Sequence, residues 1–165
     1  MQRIGILSDT HGYLDERILH YLEPCDQIWH AGDIGNLTVT DDLKQLKPLK
    51  AVYGNIDNHI IRLEFKEDEF FTCEGVKVLM THIAGKPPKY VPRVRNLILT
   101  HQPDLLVCGH SHLLLIARQP AFNNLLHINP GAVGRSGFHK VRTLIRLSID
   151  NQRIYDVEAI ELGRK

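Results

Sequence analysis

The strongest constraint on how this chain can fold is a set of five short apolar runs, each closing on side chains that carry oxygen or nitrogen donors. Ile4-Gly5-Ile6-Leu7-Ser8 leads into Asp9 and His11, and Gln27-Ile28-Trp29-His30-Ala31-Gly32 leads into Asp33. Ala51-Val52-Tyr53-Gly54 ends at Asn55, Val76-Lys77-Val78-Leu79-Met80 at His82, and Leu105-Leu106-Val107-Cys108-Gly109 at His110 and His112. Short apolar runs bounded by turn residues read as buried strands. Strands that end side by side bring their last residues to one sheet edge, which is where open α/β sheets hold ligands. The seven donors Asp9, His11, Asp33, Asn55, His82, His110 and His112 are therefore expected in one place.

No thiolate belongs to that set, and a mixture of carboxylate, amide oxygen and imidazole suits manganese, iron, zinc or a similar divalent ion. Seven donors are too many for one tetrahedral ion and enough for two ions sharing a carboxylate. One residue separates Asp9 from His11 and His110 from His112. If strand geometry persists there, both members of each pair leave on one face. Any of these histidines alone reads as a core or surface residue, and it is the seven together that point to a site.

The chain has 165 residues, 43% of them hydrophobic. A single domain over residues 1–165 is expected, and at this size it buries about two thirds of its unfolded surface, so neither a metal nor a disulfide is needed for folding. The net charge of +1 excludes a strongly polyanion-binding character and carries no nucleic-acid signature. Cys25, Cys73 and Cys108 are odd in number and irregularly spaced, which argues for a reducing compartment, with cytoplasm as the expectation. Met1-Gln2-Arg3-Ile4 runs directly into a strand pattern, so no signal peptide or membrane span is expected.

In order, Leu14, Ile18, Leu19 and Leu22 form a helical stripe within Asp15 to Glu23, closed by Pro24. A second strand follows over Asp26 to Asp33. Thr40, Asp41 and Asp42 offer caps for a helix with Leu43, Leu46 and Leu49 inward, ahead of a third strand at Leu49 to Tyr53. That alternation implies a parallel, right-handed start. Phe70 to Cys73 and Val76 to Met80 flank Glu74-Gly75 as a hairpin, and Val94, Leu97, Ile98 and His101 suggest one more helix. Val141 to Ile149, with Thr143, Ile145, Leu147 and Ile149 inward, should pair with Arg153 to Glu161, with Tyr155, Val157 and Ala159 inward. A parallel half and a mostly antiparallel half predict two sheets packed face to face with helices outside.

Asp9-Thr10-His11, Gly32-Asp33, Gly54-Asn55, Thr81-His82 and Gly109-His110-Ser111-His112, in this order, resemble the calcineurin-like metallophosphoesterase superfamily. Within it the chain looks like the small, cap-less bacterial and archaeal phosphodiesterase branch. The resemblance implies an α/β fold, a four-layer α/β/β/α sandwich of two mixed sheets flanked by helices. It also implies two divalent ions, manganese first and zinc, iron, nickel or magnesium as alternatives. Asp9, His11 and His112 would hold one ion, Asn55, His82 and His110 the other, and Asp33 would bridge them. The expected reaction is hydrolysis of a small phosphodiester by metal-bound hydroxide, without a covalent intermediate, with Asp33, Asn55 and His82 closest to the chemistry. A phosphomonoesterase or nucleotidase would use the same site. A non-catalytic interaction scaffold also occurs on this fold, as in a subunit of a eukaryotic sorting coat. A homo-oligomer stays open.

Three departures from the superfamily pattern stand out, of which one, Ile34-Gly35-Asn36 where some members continue Gly-Asp with a further aspartate, carries no conclusion. Many members carry a histidine directly after the ligand asparagine, whereas Asn55 is followed by Ile56 and Asp57. Asp57 or His59, both just past Asn55, would then have to supply any proton for the leaving group. Members of this branch often have a second histidine two residues after the equivalent of His82, where this chain has Ile83-Ala84-Gly85. Candidate substrate contacts are His59 and Arg135, the latter in Asn129-Pro130-Gly131-Ala132-Val133-Gly134-Arg135, with Lys86, Lys89, Arg93 and Arg95 after His82 as a further cationic segment. His20, His30, His101, His127 and His139 read as ordinary structural or surface histidines.

Overall fold

The computed structural model describes residues 1–165. Twelve strands, four α-helices and a short 3-10 turn at Pro120–Phe122 build it. The first half runs β1 (Gln2–Leu7), α1 (Glu16–Leu22), β2 (Gln27–His30), α2 (Leu37–Leu46), β3 (Leu49–Ala51) and α3 (His59–Glu64). The second half runs β4 (Asp68–Cys73), β5 (Val76–Thr81), β6 (Gly85–Lys86), β7 (Lys89–Tyr90), α4 (Pro92–His101), β8 (Leu105–Val107), β9 (Leu114–Gln119), β10 (Leu125–Pro130), β11 (Val141–Asp150) and β12 (Arg153–Arg164). No helix is long and apolar enough to cross a membrane. Cys25, Cys73 and Cys108 are all free and buried.

The strands form two five-stranded mixed sheets, in the orders β12-β11-β1-β2-β3 and β4-β5-β8-β10-β9. Each contains a parallel triplet, β1-β2-β3 in one and β5-β8-β10 in the other, with antiparallel strands added at the margins. The second half is mostly antiparallel, as the hairpin signals suggested, through β4–β5, β6–β7, β9–β10 and β11–β12, but it also holds the unexpected parallel triplet β5-β8-β10. A helical crossover, α4, separates β5 from β8, and such a connection returns the chain parallel. The β9–β10 hairpin and α3 escape a reading of periodicity.

Alternation along the strands divides the apolar residues among three layers of core. Ile4, Ile6, Trp29, Val78, Met80, Val107, Ile128, Ile145 and Leu147 meet between the sheets, where Trp29 lies edge-to-face on Phe71 at 5.0 Å. Leu7, Ile28, Leu144 and Ile160 turn the other way, against Ile18 and Leu22 of α1 and Val39 and Leu43 of α2. On the far side Leu79, Leu106 and Leu125 pack on Val94 and Ile98 of α4. These are the four layers of an α/β/β/α sandwich.

Helix ends follow their caps. The Asp15 side chain accepts the Ile18 N–H at 2.9 Å and starts α1. For α2 the cap is Asn36, accepting from the Thr38 N–H at 2.8 Å, so the helix begins earlier than Thr40 to Asp42 suggested, and Thr40 is buried inside it. In β12 the alternation breaks at Asp156, whose φ is 50°. The register shifts there, so Ile154 and Val157 face the inter-sheet core while Ile160 and Leu162 face the helices. Tyr155 and Ala159 are therefore not inward as their alternation implied.

Gly5 decides how closely α1 approaches the sheet, because a Cβ there would lie 2.5 Å from Leu22 Cδ2 and 3.2 Å from Cys25 Sγ. Gly5→Ala should lower stability by about 1–3 kcal/mol through overpacking. The expected readout is a lower urea midpoint with an unchanged slope; an unchanged midpoint would show that α1 shifts freely.

Candidate metal centre

Five of the seven donor residues hold a left-handed backbone: Asp9 (φ 56°), His11 (45°), Asp33 (55°), His110 (72°) and His112 (62°). β1 ends at Leu7 and β8 at Val107, so neither Asp9/His11 nor His110/His112 shares a strand face by pleating. The expectation from strand spacing is wrong in its reason. Turns after the strands, not the pleat, aim these side chains.

Backbone bonds hold the turns. β1 and β2 run parallel with Leu7 opposite His30, and their exit loops continue the pairing: Asp9 N–H donates to Gly32 O at 2.9 Å, His11 N–H to Asp33 O at 3.0 Å and Gly12 N–H to Ile34 O at 2.8 Å. His30 is buried between them. Its Nδ1 accepts the Gly32 N–H at 3.1 Å, so the neutral ring carries its proton on Nε2, which meets Thr10 Oγ1 at 3.0 Å, and Thr10 donates onward to Ile34 O at 2.8 Å. Burial lowers the His30 pKa to about 4, in keeping with a neutral ring.

Two donor groups result, Asp9-His11-His112 and Asp33-His82-His110, with the ligand atoms in each within 4.8 Å of one another. Asp33 faces both: Oδ2 lies 3.3 Å from His11 Nε2 and Oδ1 lies 3.2 Å from His82 Nε2. Asn55 joins the second group, its Oδ1 3.1 Å from His110 Nδ1. Asp9 Oδ2 is satisfied by Ser8 Oγ at 2.6 Å and the His110 N–H at 3.1 Å. Its Oδ1 points at His112 Nε2, 3.1 Å away. Gly54 makes room for the centre, because a Cβ there would sit 2.1 Å from Asp33 Oδ1.

The residues fit divalent cations. Asp9 Oδ1, His11 Nε2 and His82 Nε2 are buried with no hydrogen-bond partner, a rare condition for polar atoms. Burial opposes ionisation of Asp9, but contacts with His11 and His112 outweigh it and hold the carboxyl far below its usual range. Asp33 behaves alike, burial being overcome by His11 and His82. In turn His11 is raised to about 9, first by Asp33 and then by Asp9, and His82 is raised despite its burial by the same carboxylates. In the metal-free chain protons on these rings stand where cations would.

The histidines are oriented by partners outside the donor set. His82 Nδ1 donates to Ala31 O at 2.7 Å, which leaves Nε2 as the basic nitrogen facing Asp33. His139 Nε2 donates to Gly134 O at 2.8 Å, so its Nδ1 accepts from His112 Nδ1 at 3.1 Å and leaves His112 Nε2 basic toward Asp9. Sequence reading set His139 aside, and 27 residues of separation from His112 gave no periodic signal. Asp57 corrects a further expectation. Its carboxylate accepts the Ile34 N–H at 3.1 Å and the Gly35 and Gly54 N–H groups at 2.8 Å, so it ties loops together and is not a free proton donor. Arg62, also unanticipated, clamps the same loop through Asp57 O at 2.7 Å and Asn55 O at 3.3 Å.

Of the candidate substrate contacts, His59 is exposed at the start of α3, and Arg135 is exposed with its guanidinium 4.4 Å over the Tyr13 ring. Arg93 is paired with Asp68 and Glu67, while Lys86 and Lys89 lie on the exposed β6–β7 ribbon. His20 and His101 are exposed, away from both donor groups.

This fold and these donors define a class. The sequence model of the calcineurin-like phosphoesterase superfamily domain matches residues 2–152, and the chain belongs to that superfamily. More particular likenesses agree. A probable metallophosphoesterase of Methanothermobacter thermautotrophicus is 27% identical over 165 residues, covering 97% of this chain and 92% of the relative. One from Mycoplasma pneumoniae is 29% identical, covering 95% and 96%. Among solved structures, a novel archaeal phosphodiesterase superposes with a TM-score of 0.78 at 22% identity, over 97% of this chain and 99% of that one. Wild-type Vps29 from Entamoeba histolytica complexed with zinc gives 0.76 at 16% identity, over 97% and 98%. At these identities the two structures attest the fold.

Loss of the His139 contact should free His112 to rotate. His139→Ala is expected to weaken manganese or zinc binding to the metal-free protein by about 10–100-fold, read by competition with a chromophoric chelator. His139→Gln, whose amide can donate to Gly134 and accept from His112, should recover most of the loss. Equal affinity in all three proteins would exclude the orienting role.

Proposed function

We propose that this phosphoesterase hydrolyses phosphodiesters with two divalent ions, one held by Asp9, His11 and His112, the other by Asn55, His82 and His110, and both by Asp33. The observation that carries the reading is the position of Asp33, whose two oxygens face the two histidine groups separately, at 3.3 and 3.2 Å. Ions bound there supply Lewis acidity to the phosphoryl oxygens and lower the pKa of an attacking water. Manganese suits the mixed oxygen and nitrogen donors.

The chain's own part is arrangement. Asn55 adds a neutral oxygen, held in place by the Asp57 and Arg62 bonds to its loop. The Ile56 side chain is 46% exposed beside it and its N–H donates to Asp33 Oδ1 at 3.1 Å, so this position braces the shared carboxylate and offers no side-chain acid. With Asp57 fully engaged, His59 is the one titratable side chain left on that loop for the leaving group.

The complete donor set supports catalysis over a scaffold role of the kind that sorting-coat subunits play on this fold. Diesters are favoured over monoesters because cavities open on both sides of Ile83, beside His82 and beside His110, giving separate room for two ester arms.

Asp33→Asn should lower hydrolysis of bis(p-nitrophenyl) phosphate by several orders of magnitude, about 10³-fold or more, whereas His20→Asn should change little. Chelator should abolish the parent activity and manganese restore it. Equal effects of the two substitutions in folded proteins, or full activity of metal-free protein, would refute the centre. A general acid typically contributes about 10²–10⁴-fold, most where the departing alcohol is basic. Because Ile56 offers no side-chain acid, rates should fall steeply as leaving-group pKa rises. If they prove insensitive in the parent and sensitive in His59→Ala, His59 is the acid.

A further inference from the structure

Two cavities flank the donor groups, and Ile83 lines both. The smaller, about 220 Å³, is polar, with Asn55, Arg62 and Arg93 on its wall. The larger, about 660 Å³, begins at His110 and Ser111 and runs beneath Leu113, Leu114 and Leu115, with Lys86 as its one permanent cation. Its volume is in the range that holds a small organic ligand, and its composition, mostly apolar with few polar groups, is that of a binding pocket.

Folding does not account for that apolar wall. Leu113 is 68% exposed, Leu114 40% and Leu115 37%, at the start of the edge strand β9 of the second sheet and just before it. Large apolar side chains grouped in the open mark a contact surface. What they adjoin is decisive: the groove is continuous with His110, a member of the second donor group, so a phosphoryl group held at the centre places one of its substituents there. Lys86 complements the anionic charge that a diester keeps.

We propose that this larger cavity is a substrate subsite that takes one ester arm of a phosphodiester, and that this arm is apolar, an alkyl or aryl group. The proposal rests on the phosphodiesterase reading and adds the substrate class. Even one methylene in a hydrophobic pocket changes specificity measurably, and the contribution grows with each carbon buried.

The test compares hexyl p-nitrophenyl phosphate with methyl p-nitrophenyl phosphate, which share a leaving group and differ only in the other arm. With manganese present, kcat/KM should be about 10–100-fold higher for the hexyl diester. Leu113→Ser, which lies outside β9, and Leu115→Ser should each bring that ratio toward one, while Leu63→Ser, exposed on α3, should leave it as in the parent. A second readout uses no metal: 1-anilinonaphthalene-8-sulfonate, an apolar ring system with one anionic group, should gain fluorescence on the metal-free parent, and the Leu113→Ser/Leu115→Ser protein should bind it at least about 10-fold more weakly. Equal kcat/KM for the two diesters would overturn the subsite and leave the phosphodiesterase reading standing. Hydrolysis of neither, by folded protein with manganese, would overturn both. A parent dimer that these serines dissociate, with the ratio unchanged, would make the strand a subunit interface and overturn the subsite.

Discussion

Everything at the centre depends on two parallel strands ending level with each other. Because Leu7 pairs with His30, the loops after β1 and β2 leave the sheet side by side and continue its hydrogen bonding through Asp9, His11 and Gly12. Those bonds force a left-handed backbone on Asp9, His11 and Asp33, a conformation that costs of order 1–3 kcal/mol per residue and persists only where the surroundings over-determine it. Here they do. Thr10 and His30 are buried and spend their polar atoms on the same two loops, and buried Asp57 ties the second of them to the loop after β3, so the donors are aimed before any ligand arrives.

That arrangement explains which parts of the molecule were legible in the sequence. A carboxylate or histidine after an apolar run is a local signal, and the five runs marked the seven donors and five of the strands, while the hairpin and late-strand signals together with the family resemblance marked the sandwich. The geometry of their meeting is not local. Alternation suggested that Asp9 and His11 leave one strand face, whereas tertiary hydrogen bonds end the strand early and turn both residues left-handed. The β9–β10 hairpin was missed because Leu114, Leu115 and Ile116 are exposed edge residues with no polar alternation to mark them. Asp57 was misjudged for a related reason: a carboxylate in a loop shows nothing of the three N–H groups that converge on it from elsewhere in the chain.

Orientation is handed inward from neutral groups. Ala31 O fixes His82, and Gly134 O fixes His139, which in turn fixes His112. A ring donating to a carbonyl keeps one basic nitrogen, and its place is set by backbone that cannot drift far from the sheet. The Gly134 loop is itself anchored to Asp9 O through the Gly134 N–H at 3.1 Å, so the segment that orients His112 is fastened to the residue that His112 faces.

The neutrality of those outer partners sets a charge balance. Many metal-bound histidines lean on a carboxylate, which lends negative charge to the site. His82 and His112 lean on a carbonyl and a neutral imidazole, so Asp9 and Asp33 are the only formal anions in the donor set. Two dications held there would be only half neutralised. The surplus positive potential, in a mouth whose wall includes Arg62, would draw in anions, and a phosphodiester would bring one of the two missing negative charges with it.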